Sequence, residues 1–359
     1  MKKVRIGIIG CGGIANGKHM PSLAQLDNVE MVAFCDIICE KAVAAKEKFG
    51  TEDAKVYTDY KELISDASID AVHICTPNKS HAFITVDSLE SGKHVMCEKP
   101  MAKTVEEARA MVDAAHRTGK KLTIGYQNRY RVDARHLFKA CQNGDLGHIY
   151  FAKAHAIRRR AVPTWGVFLN EEEQGGGPLI DIGTHALDLT LWMMDNYKPK
   201  YAVGNIYHEL SKKENAANAW GPWDPKAFNV EDSAFGFVTM ENGATIFLES
   251  SWALNTLDEG EAITTLCGTE GGADMKQGLR INGEKYSRLY DEKVMTDTAG
   301  VAFYDGEGES AEMVEAAHWI DCIVNDKEPI VKPEQALVVT QILDAIYESA
   351  KTGKPVYFE

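Results

Sequence analysis

Lys99 stands in Glu98-Lys99-Pro100, directly after the apolar run His94–Cys97, and Asp181 and His185 stand four residues apart in Asp181-Ile182-Gly183-Thr184-His185. An ammonium, a carboxylate and an imidazole form a proton-handling set suited to a secondary alcohol. An imidazole, titrating near ~6.5, can take the hydroxyl proton, and an ammonium can stabilise the alkoxide that develops. Residues i and i+4 share a helix face, so Asp181 and His185 can serve one pocket. Lys99 precedes a proline, which restricts it to extended backbone and aims its side chain in a fixed direction. A buried Glu-Lys pair at a strand end is costly unless it is paired or functional.

The elements that must position these groups follow from the hydrophobic pattern. Over residues 1–125, Val4–Ile9, Val29–Cys35, Ala71–Thr76, His94–Cys97 and Leu122–Gly125 are apolar at nearly every position, the mark of parallel strands buried on both faces. Helical patterns near 14–26, 38–49, 60–65, 79–91 and 104–118 lie between them, giving the βαβ rhythm of a doubly wound sheet. Pro21 predicts that the first of these helices is short or kinked. After residue 145 strand patterns follow one another without helices: 149–159, 200–208, 232–240, 244–252, 262–268 and 279–282. Glu241-Asn242-Gly243 and Asn282-Gly283 read as hairpin turns. Helices are expected over 181–194, 309–325 and 333–352. The fold class is therefore α/β: a Rossmann-type doubly wound domain over 1–125, then an α+β domain over 126–359 whose sheet is mainly antiparallel.

The first strand runs into Gly10-Cys11-Gly12-Gly13-Ile14-Ala15, a G-x-G-x-x-A between strand and helix. In that motif Gly10 permits the tight turn, Gly12 lets backbone approach a pyrophosphate, and Ala15 allows close helix–sheet packing. The helix start offers free N–H groups and a positive dipole end to phosphate. Asp36 closes the second strand, 21 residues past Ala15, where an acid accepts hydrogen bonds from a ribose. Asp36 would repel a 2′-phosphate, and Ile37 and Ile38 follow it in place of an arginine, so NAD is expected over NADP. Thr76-Pro77-Asn78 and Glu98-Lys99-Pro100 end two further strands and open onto the same crevice. Gly175-Gly176-Gly177 before Asp181 suggests close approach of backbone to a ligand. Asp181, His185 and Asp188 could instead bind a metal, but no further ligand cluster supports this and none is expected.

The 359 residues carry 39 basic and 53 acidic side chains, a net charge of −14, which disfavours nucleic acid and anionic lipid as partners. No apolar run approaches the ~20 residues of a membrane span. The N-terminus enters a strand at once, without signal-peptide character, and the eight cysteines form no CxxC pair. A cytoplasmic protein with reduced core thiols is expected.

In its motifs the sequence resembles the Gfo/Idh/MocA family of sugar and cyclitol oxidoreductases. The matching residues are Gly10–Ala15, Thr76-Pro77-Asn78 with His81, Glu98-Lys99-Pro100, Gly125-Tyr126-Gln127-Asn128-Arg129 and Gly175–His185, in that family's order, with the Gly268-Thr269-Glu270-Gly271 turn beyond them. The resemblance implies a Rossmann domain, a second domain with a large open sheet that assembles homo-oligomers, and a nicotinamide cofactor. It implies that Lys99, Asp181 and His185 are catalytic. It also implies that Gly10, Gly12, Gly13, Ile14, Ala15, Asp36, Thr76, Pro77, Asn78, His81, Glu98 and Lys99 line the cofactor. Substrate contacts are expected from Tyr126, Arg129, His155, Arg158 and Trp165 beside Asp181 and His185. On this reading His185 is the base and Lys99 the hydrogen-bond donor, with the two roles exchangeable. The substrate is a sugar, glycoside or cyclitol. The Arg158-Arg159-Arg160 and Pro163–Phe168 stretches are similar to members acting on glucosides, at C3. An inositol dehydrogenase and an NAD-retaining redox glycosidase are the alternatives.

Overall fold

The computed structural model describes residues 3–295 and 310–358. It divides into two compact units, Met1–Gln127 with Glu309–Leu337, and Asn128–Gly308 with Val338–Glu359.

The first unit is built on β1 (Val4–Ile9), β2 (Val29–Cys35), β3 (Lys55–Tyr57), β4 (Ala71–Ile74), β5 (His94–Cys97) and β6 (Leu122–Ile124). All pairs are parallel, in the order β3-β2-β1-β4-β5-β6. Ile6, Ile8, Val72 and Ile74 are buried, as strands covered on both faces require. Strand β3 is too short for its pattern to stand out in the sequence. The helix after β1 is short, as Pro21 predicts: a π-type turn over Ala15–His19 and a helical turn over Met20–Leu23. The reading of the sequence divides the chain at 125/126. The helix Ala311–Val324, far downstream, nevertheless sets Ala316, Trp319, Ile320 and Cys322 into the core of this first unit.

The second unit is built on β7 (Ile149–Ile157), β8 (Pro199–Tyr207), β9 (Ser233–Met240), β10 (Thr245–Ser251), β11 (Gly260–Gly268), β12 (Gly271–Asp274), β13 (Arg280–Lys285), β14 (Arg288–Lys293) and β15 (Val356–Tyr357). They form one sheet in the order β14-β13-β12-β11-β7-β10-β9-β8-β15. Only β7 and β10 pair in parallel; the other pairs are antiparallel. The turn at Glu241–Gly243 is present, with Gly243 at φ 86°. The turn expected at Asn282-Gly283 is not. Those residues lie inside β13, and the chain reverses at Tyr286-Ser287, at φ 53° and 59°. A Cβ on Gly283 would stand 2.9 Å from the Tyr290 hydroxyl, so a side chain there would push that ring aside.

One face of this sheet carries the helix Thr184–Met194, buried nearly all round and apolar accordingly. Gly204 and Gly236 are cross-strand partners on that face, and they make a hollow for the fully buried Ile346. Burying such a side chain contributes about 1.5–3 kcal/mol.

Candidate active site

The glycine loop of the first unit is held from within. Gly10 adopts φ +89°, and a Cβ there would lie 2.7 Å from the Cys75 carbonyl, so this position requires glycine. Gly12 and Gly13 are different: a Cβ would meet nothing within 4 Å, and both face open space at the start of the helix. That open cradle, with exposed Ile14 beside it and Ala15 buried beneath, suits the close approach of a pyrophosphate. Asp36, at the end of β2, accepts from Cys11 N–H and from Ile38 N–H, each at 2.9 Å. Its carboxylate thus fixes the glycine loop while remaining partly exposed. Ile37 and Ile38 are exposed beside it. The residues fit NAD.

The strand-end loops are tied together by His81. Its Nδ1 lies 2.7 Å from the Pro100 carbonyl and its Nε2 2.8 Å from that of Thr76. A neutral ring can donate to only one of them. Burial nevertheless holds this imidazole below its ordinary value, against the pull of the two carbonyls. Ser80 Oγ donates to Thr76 Oγ1 at 2.8 Å, and Asn78 is buried. The Lys99–Pro100 peptide is cis, and Lys99 is half-buried.

Glu98 is the centre of a buried charged network. Its Oε1 accepts from Lys18 Nζ at 2.8 Å and from His19 Nε2 at 2.9 Å, and its Oε2 accepts from Lys99 N–H at 3.0 Å. Lys18 also donates to Glu315 at 2.9 Å, and the Nδ1 atoms of His19 and His73 are 2.9 Å apart. Lys18 and His19 hold the Glu98 carboxyl well below its usual range, although burial opposes them. Burial pushes Glu315 up, opposed by Lys18. The ammonium that satisfies the Glu98 side chain therefore comes from the helix after the glycine loop, and Lys99 joins the network through its backbone.

In the second unit the chain enters the Asp181 helix over Gly175–Pro178. Gly176 and Gly177 make room for protein, not for a ligand as the sequence suggests. A Cβ on Gly176 would lie 2.0 Å from the Tyr347 hydroxyl, and one on Gly177 2.2 Å from the Glu231 carbonyl. The Glu231 carboxylate accepts from Gly177 N–H at 2.8 Å, Leu179 N–H at 3.0 Å and Tyr347 O–H at 2.9 Å. Burial nevertheless pushes Glu231 up to about 7. A π-type turn over Leu179–Gly183 leads into the helix Thr184–Met194. From Leu179 to Met193 only Asp181 and His185 are not fully buried. Both motif helices begin in a π-type turn, a distortion frequent at functional sites. Trp252 Nε1–H donates to Asp181 Oδ2 at 3.1 Å, and Trp252 stands in a run of rings with Phe168, Trp165 and Trp220.

The oxidoreductase family model with an NAD-binding Rossmann fold matches residues 4–126, and the model of its C-terminal alpha/beta domain matches 139–358. The chain belongs to the Gfo/Idh/MocA family. This Gfo/Idh/MocA protein is an oxidoreductase with NAD as its cofactor. It is 34% identical to the D-glucoside 3-dehydrogenase of Escherichia coli strain K12, over 98% of this chain and 97% of that one. It is 35% identical to the glucose-6-phosphate 3-dehydrogenase of Bacillus subtilis strain 168 over 55% of each chain. Its fold is similar to that of the aldose-aldose oxidoreductase from Caulobacter crescentus complexed with glycerol, with TM-score 0.80 and 25% identity over 99% of this chain and 100% of that one.

Several residues expected at the site of this Gfo/Idh/MocA oxidoreductase are occupied elsewhere. Arg129 is fully buried and pairs bidentately with Asp188, at 2.9 and 2.6 Å. A charge in the core needs its counter-charge, so the expected substrate contact is a structural pair, and Asp188 is likewise spoken for. Among the described residues no group of three His, Cys, Asp or Glu could hold a metal ion. Tyr126 is buried. His155 Nδ1 is 2.8 Å from Glu249 Oε2, on the sheet face opposite the helix Thr184–Met194. Arg158 grips Glu261 at 2.6 and 2.8 Å, with its guanidinium 5.3 Å from the Trp220 ring. Trp165 is exposed. Sequence reading did not single out Lys18, His19, Glu231, Glu315 or Trp252 for the site. Their partners lie 52 to 297 positions away, and only the cost of burying Glu98 hinted that a distant cation must exist.

Proposed function

We propose that this protein oxidises a secondary ring hydroxyl of a sugar or glycoside to a ketone, at C3 of a glucoside. The reading is carried by the surface of the Asp181 helix, where Asp181 and His185 alone reach out of an otherwise buried stretch, with an indole holding the carboxylate. The relation to a D-glucoside 3-dehydrogenase over nearly the whole chain supports the glucoside and the ring position.

NAD, which the Gly10–Ala15 loop and Asp36 would hold, would supply the acceptor for the hydride of the carbinol carbon. His185 takes the hydroxyl proton, and Lys99 donates a hydrogen bond to the same oxygen and steadies its developing negative charge. Asp181, its carboxylate oriented by Trp252, accepts from a neighbouring hydroxyl and fixes the ring. Gly12 and Gly13 bring backbone N–H groups to the pyrophosphate, and Asp36 receives the adenosine ribose. A 3-keto glycoside has an acidified proton at C2, so the product is prepared for later elimination of the glycosidic bond.

The exposed face of the nine-stranded sheet supports a homo-oligomer. Phe247 contacts both Phe151 and Phe237, on the strands to either side of its own, and is itself exposed. No helix among the described residues is long and apolar enough to cross a membrane, and all eight cysteines are free thiols, which supports a reducing, cytoplasmic setting.

A panel of glucosides, free sugars and inositols, followed by nicotinamide absorbance and product mass, tests the reading. Glucosides should yield products two mass units lighter, with the ketone at C3. Oxidation of inositols alone would reject it. Lys99→Ala and His185→Ala should each lose turnover by about 100-fold or more while retaining NAD binding. Full activity in either variant would discard its proposed role.

A further inference from the structure

We propose that Trp165 and Trp220 form a second binding site, beyond the ring that is oxidised, for a neutral second pyranose: the sugar on the other side of the glycosidic bond. The inference rests on the glucoside reading and adds that the preferred substrate carries two rings.

Trp165 is 51% and Trp220 45% exposed, and their rings meet edge to face at 4.9 Å. Two adjacent exposed indoles are an unusual apolar expenditure on a surface carrying a net charge of −14. Their loops are held firmly together. Val162 N–H donates to Asn218 Oδ1 at 2.8 Å and Asn218 Nδ2 returns a bond to the Val162 carbonyl at 2.9 Å. Ala219 N–H donates to the Arg160 carbonyl at 3.0 Å, and Thr164 Oγ1–H to that of Trp220 at 2.7 Å. A platform fixed in this way loses little freedom on binding.

A run of rings joins the platform to the catalytic carboxylate. From Trp165 it passes to Phe168 at 5.9 Å and to Trp252 at 6.3 Å, and Trp252 donates to Asp181. On this proposal a ligand held at Asp181 extends past one ring to meet the indoles. The two arginines that flank the platform are already paired. Arg158, stacked on Trp220, spends its charge on Glu261, and Arg160 donates to the Arg159 and Leu254 carbonyls and to Asn255. Both guanidinium groups are therefore already engaged within the protein. A pyranose, whose C–H face is apolar and whose rim is hydroxylated, fits a flat indole with polar surroundings.

The test compares maltose and cellobiose with methyl α- and β-glucoside in wild type, Trp220→Ala, Trp220→Phe and Trp165→Ala, each loaded with NAD. Trp220→Ala should raise KM for the preferred disaccharide about tenfold, leave that for the methyl glucoside within about twofold, and leave kcat unchanged, and Trp165→Ala should raise the disaccharide-to-methyl-glucoside KM ratio in the same direction. Trp220→Phe should recover most of the loss. Disaccharide-induced quenching of tryptophan fluorescence in wild type, reduced in both alanine variants, reports the site without turnover. A disaccharide-to-methyl-glucoside KM ratio unaltered by the variants, together with unaltered quenching, overturns the proposal. So does loss of oligomer in the variants with that ratio intact, because the indoles would then be covered by a second copy of the chain. Wild type that binds disaccharides with quenching but oxidises no glucoside rejects the functional reading and leaves the second site standing.

Discussion

Lys18 lies between two carboxylates, Glu98 and Glu315, all three side chains no more than 7% exposed. Taking three charges out of water is expensive, and the arrangement holds because one ammonium serves two acids while burial pushes one of them, Glu315, towards its neutral form. Removing the cation should therefore cost far more than its own hydrogen bonds. Lys18→Met leaves Glu98 with only His19 to balance it and is expected to destabilise the protein by about 3–5 kcal/mol in urea unfolding. Lys18→Met with Glu315→Gln should recover part of that loss, since one uncompensated acid is gone, and the two changes should be clearly non-additive. Simple additivity would mean that the three groups are not energetically coupled. The network also holds the peptide N–H of Lys99, so the same variant should lower kcat more than it weakens NAD binding.

At the scale of elements, the helix carrying Asp181 and His185 depends on how its start is anchored. Glu231 accepts from the Gly177 and Leu179 N–H groups, which have no partner inside the helix, and Tyr347 completes the set. The folded protein holds the Glu231 proton to about pH 7, whereas an unfolded chain releases it near the ordinary 4.5. Between those values the folded state binds more protons, so its stability falls as pH rises, by about 3 kcal/mol in the limit of this one group. Glu231→Gln should flatten that slope between pH 5 and 8 in urea unfolding, and an unchanged slope would show that Glu231 is ionised throughout. This anchor was not legible in the sequence. The three glycines were, but their cause was misplaced: Gly176 and Gly177 face Tyr347 and Glu231, and nothing in a linear pattern tells a hydroxyl of the same chain from a ligand. The strands β1, β2 and β5 were legible to the residue because burial on both faces leaves a run that is apolar at nearly every position. Asn282-Gly283 misled because this glycine lies inside a paired strand opposite Tyr290 and not at the reversal of the chain. Arg129 misled because an arginine beside a motif looks the same whether it meets a substrate or the buried Asp188.

At the scale of the whole molecule, charge and apolar surface pull in opposite directions. Each chain carries −14, so two copies repel, yet the outer face of the second sheet carries Phe151, Phe235, Phe237, Phe247, Tyr201 and Tyr207 on neighbouring strands. Their rings contact in pairs at 5.3 to 6.0 Å, and Tyr207 and Phe247 are exposed. A stable interface buries roughly 1,200–2,000 Å² in all, and this aromatic face is the place on the sheet that can supply its apolar centre. Association there must be driven by burial against electrostatic repulsion, so it should tighten with salt: at 0.15 M the Debye length falls to ~8 Å, which screens the surface charges and leaves the aromatic contact intact. Light scattering should give a mass that is a multiple of 39.6 kDa, with the dissociation constant falling as salt rises from 10 to 150 mM. Phe247→Asp places a carboxylate at the centre of that face and should return the mass to 39.6 kDa with the circular dichroism unchanged. A wild-type chain that scatters as a monomer at every salt concentration, or a Phe247→Asp variant that stays associated, would move the interface off this face. In either case the exposed rings would need another occupant.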